Sequence, residues 1–309
     1  MSKIKALLVA ASAFLGVTML TGCKDLVLIH SKGAVGLDER DLIIIATLLM
    51  LLVVVPVIIM TIVFAIRYRA TNTKATYDPS FHHSNKIEVV IWGVPIIIIG
   101  ILATIVWKTS HSLDPYKPLD SDVKPLEVQV VALDWKWLFI YPEQHIATVN
   151  YLEIPANTPI NFKITAGDAP MNSFMIPQLG GQIYAMAGMQ TQLHLIADEE
   201  GVYDGRGYGF SGEGFNGMHF KTRAVSQQEF DSWVEQTKST ATEDLSAGAF
   251  DELEKPSEYV EPKFYRDVEP NLFSNIMMKF MGPMDSANAS EHADASGTTS
   301  MPGMVMDNK

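Results

Sequence analysis

Two uninterrupted apolar blocks, Leu42 to Ile66 and Val89 to Trp107, restrict this chain more than any other feature. The first exceeds the roughly 20 residues a helix needs to cross a bilayer, and the second just reaches that length. Their flanks are suited to it. Asp41 and Arg67-Tyr68-Arg69 bound the first block, and Trp107-Lys108 closes the second with residues that favour the headgroup level. Each block contains a proline, Pro56 or Pro95, which a membrane helix tolerates where neighbours satisfy the freed carbonyl. Hydrophobic residues make up 48% of the sequence and charged residues 19%. Because the excess lies in these blocks and not along amphipathic segments, the composition argues against a soluble enzyme and for two spanning helices.

Orientation follows from the basic residues. The connecting loop, 67–86, holds Arg67, Arg69, Lys74 and Lys86 against a lone Asp78. The positive-inside rule therefore places this loop in the cytoplasm, and both ends of the transmembrane hairpin, residues 41–107, on the other side. The start of the chain agrees. Lys3 and Lys5 precede an apolar run from Ala6 to Leu20, and Leu20-Thr21-Gly22-Cys23 follows. That order predicts a bacterial lipoprotein signal over residues 1–22, a lipid-modified Cys23, and a periplasmic segment over residues 23–40. Cleavage after Ala11-Ser12-Ala13 would instead leave an apolar run shorter than the roughly 7 to 15 residues a signal requires. The expected location is the bacterial inner membrane, multi-pass and lipid-anchored, with the N-terminus and the C-terminal domain in the periplasm.

Cys23 is the single cysteine of the sequence. Downstream of it there can be no disulfide, no zinc cluster of the cysteine type and no thiolate copper centre. From Lys108 the chain becomes polar and strand-like. Val131, Leu133, Trp135, Trp137, Phe139 and Tyr141 fall on alternate positions, and Ile160, Phe162 and Ile164 repeat the pattern. This predicts strands with one buried face. Further short strands near Gln192 to Ile196 and Met218 to Ala224 predict a small antiparallel sandwich over residues 108–225. Gln227 to Lys238 reads as an amphipathic helix behind Ser226 and Ala247 to Leu253 as a shorter one, within a helical extension over residues 226–285. Residues 286–309 are rich in Ser, Ala, Gly, Asp and Thr and are expected to lack order.

Specific motifs resemble those of subunit II of the haem-copper terminal oxidases, from the first span to about Phe280. Asp134-Trp135-Lys136-Trp137-Leu138-Phe139-Ile140-Tyr141-Pro142 looks like that family's aromatic stretch. Ser173-Phe174-Met175-Ile176-Pro177-Gln178-Leu179-Gly180 looks like its first metal-binding loop, and Tyr203-Asp204-Gly205 opens the second. The resemblance implies a membrane-anchored, mainly β fold: a two-helix transmembrane hairpin, a cupredoxin-like Greek-key β-sandwich and short C-terminal helices. In the cytochrome c oxidase branch the two loops hold a dinuclear copper centre through histidines, bridging cysteines, a glutamate and a methionine. Carried over residue by residue, those positions are Asn172, Gly207, Gly209, Ser211, Phe215 and Met218. Only Met218 retains its ligand type. Glycine, a hydroxyl and a phenyl ring cannot replace thiolates and imidazoles, and a lone thioether is more simply read as core packing.

A cytochrome c oxidase needs the copper pair to receive electrons from a protein donor, whereas a quinol oxidase takes them from a membrane-dissolved donor. The chain therefore resembles the ubiquinol oxidase branch of cytochrome bo type. Phe210-Ser211-Gly212-Glu213-Gly214-Phe215-Asn216-Gly217-Met218 and Pro256-Ser257-Glu258-Tyr259 fit that branch. The resemblance implies that this chain binds no cofactor. Haems and copper are expected in subunit I, and ubiquinone in the complex. Subunit I, the other oxidase subunits and membrane lipid are the implied partners, with neither cytochrome c nor nucleic acid among them. The net charge of −12 suits a soluble periplasmic domain as well as a basic partner and identifies neither.

Glu88 is the residue in this chain with a candidate chemical role. It stands at the cytoplasmic start of the second span, where an ionisable group is a functional candidate. The spacing Asn85-Lys86-Ile87-Glu88 is equally that of a capping box. In the resembled family a glutamate at this place stands at the mouth of a proton channel of subunit I, which implies proton uptake at Glu88. His82 and His83 read as a solvated loop pair, and His219 as pointing outward from its strand. Two other classes remain open to the residues alone. One is a copper-handling lipoprotein, suggested by Met277, Met278, Met281, Met284, Met301, Met304 and Met306. The other is a structural envelope lipoprotein. Co-purification with haem-bearing subunits separates both from an oxidase subunit.

Maturation supplies the first prediction. Intact-protein mass spectrometry should find the mature chain beginning at an acylated Cys23, and Cys23→Ala should abolish acylation while leaving an assembled oxidase, because two helices already anchor the chain.

Overall fold

The computed structural model describes residues 26–76, 80 and 82–281. Cys23 and the tail from residue 282 lie outside the described residues. Both apolar blocks are helical: α1 spans Ala34–Arg67 and α2 spans Asn85–Ser112, with Pro56 and Pro95 inside them. Their side chains are almost entirely uncovered by the rest of the chain, as expected of surfaces meant for lipid or for other membrane helices. Each helix runs beyond its apolar block on the periplasmic side. In α1 this overhang carries Asp38, Glu39, Arg40 and Asp41, and at 1.5 Å per residue it lifts Ala34 roughly 12 Å above Leu42.

That overhang is bonded to the periplasmic domain through its backbone. Lys32 N donates to Gln178 O at 2.7 Å, Gly36 N to Leu179 O at 3.0 Å, and Asp198 N to Lys32 O at 2.8 Å. Gly181 N donates to both carboxylate oxygens of Glu39, at 3.1 and 3.2 Å. The approach leaves no room for side chains. A Cβ on Gly33 would collide with Ile196 O, and one on Gly180, at φ 111°, would lie 2.7 Å from Gly36 N.

Among the described residues, eleven strands form two packed sheets. The first has the order β11-β3-β2-β1-β5-β8, from β1 (Leu126–Leu133), β2 (Lys136–Tyr141), β3 (Ile146–Val149), β5 (Ile160–Ala166), β8 (Thr191–Leu195) and β11 (Lys263–Tyr265). The second has the order β4-β10-β9-β6-β7, from β4 (Tyr151–Pro155), β6 (Asn172–Ile176), β7 (Gly180–Ala185), β9 (Gly201–Gly207) and β10 (His219–Val225). This is a cupredoxin-like sandwich, but not the wholly antiparallel one expected. β1 pairs in parallel with β5, and β10 with β4, because the chain crosses between the sheets before returning beside an earlier strand.

The aromatic alternation from Val131 to Tyr141 also resolves differently. It is broken by a turn at Asp134-Trp135, where Trp135 has φ 61°, and β1 and β2 pair antiparallel with Ala132 opposite Trp137 and Val131 opposite Leu138. In this register the odd-numbered residues of β1 share a face with the even-numbered residues of β2. Trp137, Phe139 and Tyr141 therefore enter the sandwich core, and Val131 and Leu133 join a second cluster on the opposite face. In the core, Phe174 and Phe220 stack at 5.4 Å with 7° between their planes, and the edge of Trp137 meets Phe174 at 5.3 Å. Such geometries add about 0.5 to 1.5 kcal/mol per pair beyond burial.

The outer face is covered by the C-terminal extension. Helix α3 (Gln227–Thr240) is capped by Ser226, whose hydroxyl accepts from Glu229 N, and sends Phe230 and Val234 into the core. Helices α4 (Ala247–Glu254) and α5 (Leu272–Lys279) cover the first sheet with Phe250, Leu253, Leu272, Phe273 and Ile276. The extension is not purely helical, since β11 adds an edge strand to β3. With both faces covered, every residue of β2 is buried.

Lys136 is among them, 1% exposed. Its ammonium donates to Lys255 O at 2.8 Å, Ser257 Oγ at 2.6 Å and Asp134 O at 3.3 Å, joining β2 to the end of α4. Burial pushes its pKa down from 10.5 to about 8, against the pull of the Asp134 carboxylate, with Lys263 adding a further push down. The folded state thus releases this proton at lower pH than the unfolded state. Stability from this residue should rise as pH increases from about 8 to 10.5. Thermal unfolding should show the wild type gaining on Lys136→Met across that window; a constant difference would mean an unshifted lysine.

Candidate functional site

The six positions that the resemblance matches to copper ligands lie at one end of the second sheet. Asn172 begins β6, Gly207 ends β9, and the pairing of Phe174 with Gly207 holds the two strands together. Between β9 and β10 the chain forms a loop closed by a 3-10 turn, Glu213–Gly217, with Gly207 N donating to Met218 O at 3.2 Å. A Cβ on Gly207 would lie 3.6 Å from Met218 Sδ and 3.8 Å from Asn172 Oδ1, so these three positions converge. Ser173 Oγ accepts from Tyr208 N at 2.8 Å and from Gly209 N at 2.7 Å. Ser211 is buried and gives its carbonyl to Trp135 Nε1 at 3.0 Å. Phe215 is half-buried, its ring 5.8 Å from that of Phe210, which is 82% exposed.

Chemically this is an apolar, amide-and-hydroxyl end. Asn172 Nδ2 donates to Pro170 O at 2.9 Å, while Asn172 Oδ1 and Ser211 Oγ are buried without a partner. The donors at the six positions are an amide, a hydroxyl and the thioether of Met218, itself buried in the core. That set does not fit a copper pair, which requires thiolates and imidazoles. Among the described residues, no group of three or more His, Cys, Asp or Glu is placed to hold a metal ion. Gly207 and Gly209 are not at positive φ, and a Cβ at either would make only ordinary contacts, at 3.6 Å or beyond. Sequence reasoning missed Ser173 as the residue that ties the loop down. The one signal was its place in the motif beside Asn172.

Glu88 stands one turn into α2, at the opposite end of the molecule. The capping box expected there does not form. Ser84, not Asn85, is the N-cap residue, and no side chain caps the helix. The Glu88 carboxylate instead meets His83 Nδ1 at 2.7 Å, and both side chains are exposed. His83 is therefore a partner of Glu88 and not simply a solvated loop residue. An ionised carboxylate gains more from a histidine N–H, charged when protonated, than from the neutral amide of Asn85. His219 is exposed, as expected.

A two-helix hairpin bearing a cupredoxin-like domain is the architecture of a membrane-anchored subunit II of a terminal oxidase. The family described as cytochrome c oxidase subunit II, periplasmic domain, matches residues 139–225, and the COX aromatic rich motif matches residues 240–284. Cytochrome bo(3) ubiquinol oxidase subunit 2 of Pseudomonas aeruginosa is 56% identical over 93% of this chain and 87% of its own length. Ubiquinol oxidase subunit 2 of Acetobacter aceti is 54% identical over 86% of each, and quinol oxidase subunit 2 of Bacillus cereus is 38% identical over 83% of this chain and 92% of its own. The chain belongs to the family of subunit 2 of the ubiquinol oxidases.

Metal analysis of the wild-type periplasmic domain should find no stoichiometric copper and no thiolate-to-copper absorption. Combining Asn172→His, Gly207→Cys, Gly209→Glu, Ser211→Cys and Phe215→His, with Met218 kept, should produce that absorption on copper addition, because the backbone admits a side chain at both glycines.

Proposed function

We propose that this chain is the non-redox subunit II of a proton-pumping ubiquinol oxidase of the aerobic respiratory chain. The reading rests on one observation above others: the loop end of the sandwich offers an amide, a hydroxyl and a thioether where an electron-accepting copper pair would need thiolates and imidazoles. The chain binds no cofactor of its own. Subunit I carries the haems and copper, oxidises ubiquinol and reduces oxygen to water. α1 and α2 pack against subunit I, and the sandwich covers its periplasmic face. Cys23 is acylated, so that lipid and two helices together hold the chain in the inner membrane.

Within this arrangement Glu88 takes up protons from the cytoplasm for subunit I. Its exposure gives it access to bulk water, and its hydrogen bond to His83 Nδ1 at 2.7 Å holds the carboxylate in place at the start of α2. The role requires only a titratable acceptor at the membrane boundary, held in place and rapidly re-equilibrated. Turnover of the purified, fully haem-loaded complex tests it. Glu88→Ala should slow quinol oxidation without preventing assembly, and Glu88→Asp should be milder. The loss should stay below the roughly 100-fold that an acid or base acting in a transition state contributes, because water still reaches the uptake point. Unchanged turnover in Glu88→Ala would remove the role.

A further inference from the structure

The loop Gly207–Met218 contains Gly207, Gly209, Gly212, Gly214 and Gly217. Such a segment loses much conformational freedom on ordering and has few side chains with which to offset that loss. In copper-bearing relatives bound metal ties this loop together. Here its donors are missing, yet the loop is ordered: Ser173 Oγ holds its start through Tyr208 N and Gly209 N, and the contacts to its glycine-rich remainder come from two other segments. Trp135, from the turn between β1 and β2, donates its indole N–H to Ser211 O at 3.0 Å and lays its ring against the glycines. A Cβ on Gly212 would lie 3.0 Å from Trp135 Cζ2, and one on Gly214 would lie 2.5 Å from Trp135 Cδ2.

The second segment is Lys255–Tyr259, which follows α4. The Cβ position of Gly214 is also 2.7 Å from Glu258 Cγ, and that of Gly217 is 3.0 Å from Tyr259 Cδ1. Tyr259 adopts φ 50°, a left-handed conformation rare for a bulky side chain. Such a conformation persists where surrounding contacts hold it. Tyr259 itself is 60% exposed, with its ring over Gly217, and the segment is anchored through the residues just before it. Lys136 donates to Lys255 O at 2.8 Å and to Ser257 Oγ at 2.6 Å, and Ser257 N donates to Asp134 O at 3.4 Å. The same turn that presents Trp135 to the loop therefore also anchors the segment that brings up Glu258 and Tyr259.

We propose that Lys255–Tyr259 is a strap which, with Trp135, fixes the loop Gly207–Met218 and so performs the ordering role that metal performs in copper-bearing relatives. This assigns a function to the centre of the aromatic-rich C-terminal segment. It also explains why glycines suit the loop: each larger side chain at Gly212, Gly214 or Gly217 would displace the strap or the indole. The proposal rests on the copper-free reading of the loop, which metal analysis tests independently.

Hydrogen–deuterium exchange on the assembled oxidase tests the strap. Tyr259→Ala should speed exchange of amides in residues 207–218 by roughly 10-fold or more, while β1 and β2 keep their protection. Tyr259→Phe, which retains the ring at the same backbone conformation, should behave like the wild type. Lys136→Met should reproduce the Tyr259→Ala pattern by releasing the strap at its anchor. Unchanged loop protection in Tyr259→Ala overturns the proposal, as does loss spread evenly over both sheets, or a Tyr259→Phe variant as labile as Tyr259→Ala.

Discussion

The turn at Asp134-Trp135 is the constraint on which the rest of the periplasmic domain depends. Reversing the chain within two residues converts one alternating apolar run into two faces. Trp137, Phe139 and Tyr141 fill the sandwich core, while Val131, Leu133, Leu138 and Ile140 form a second apolar surface that the C-terminal extension covers. The cost is a tryptophan at φ 61°, a strain of order 1 to 3 kcal/mol. Trp135 recovers it through the hydrogen bond to Ser211 and the burial of its ring against the glycine loop. Lys136, the next residue, joins the same turn to the end of α4. One reversal of the backbone thus positions the core, the extension and the loop.

The junction with the membrane follows a different physical logic. It uses main-chain hydrogen bonds and close backbone approach at Gly33, Gly36 and Gly180, with Val35 packed against the sandwich core beside them. Side-chain contacts alone would tolerate sliding and rotation. Backbone contacts at these distances do not, since few alternative registers satisfy the donors on both sides. Glu39 reinforces the junction by accepting from Gly181 N on the first free turns of α1. The orientation of the sandwich relative to the helices is thereby fixed by the shape of the main chain, before any partner subunit is considered.

The two ends of the molecule divide its roles. At the periplasmic end, Asn172, Gly207, Gly209, Ser211 and Phe215 gather in the loops at one end of the cupredoxin-like sandwich. Ser173, Trp135 and the segment after α4 contact these loops and hold them. At the cytoplasmic end, Glu88 and His83 form an exposed, hydrogen-bonded pair at the start of α2.

Much of this was legible in the sequence. Length and hydropathy determined the two helices, because a bilayer sets a minimum apolar length that little else demands. The donor types at Asn172, Gly207, Gly209, Ser211 and Phe215 determined that the loops do not suit copper, because ligand chemistry does not depend on coordinates. The face assignment of the aromatic run was decided only by the fold, since a period of two looks the same on either side of a tight turn. Tertiary structure also decided that Glu88 bonds His83 and not the amide of Asn85. Two acceptable partners lay within reach along the chain, and only the path of residues 82–85 into the helix selected one. The contacts of Lys136 and Tyr259 were equally hidden, because Lys136 meets Lys255 119 residues away and Tyr259 meets the loop at Gly217 in another element, and separation of that kind leaves no local pattern to read.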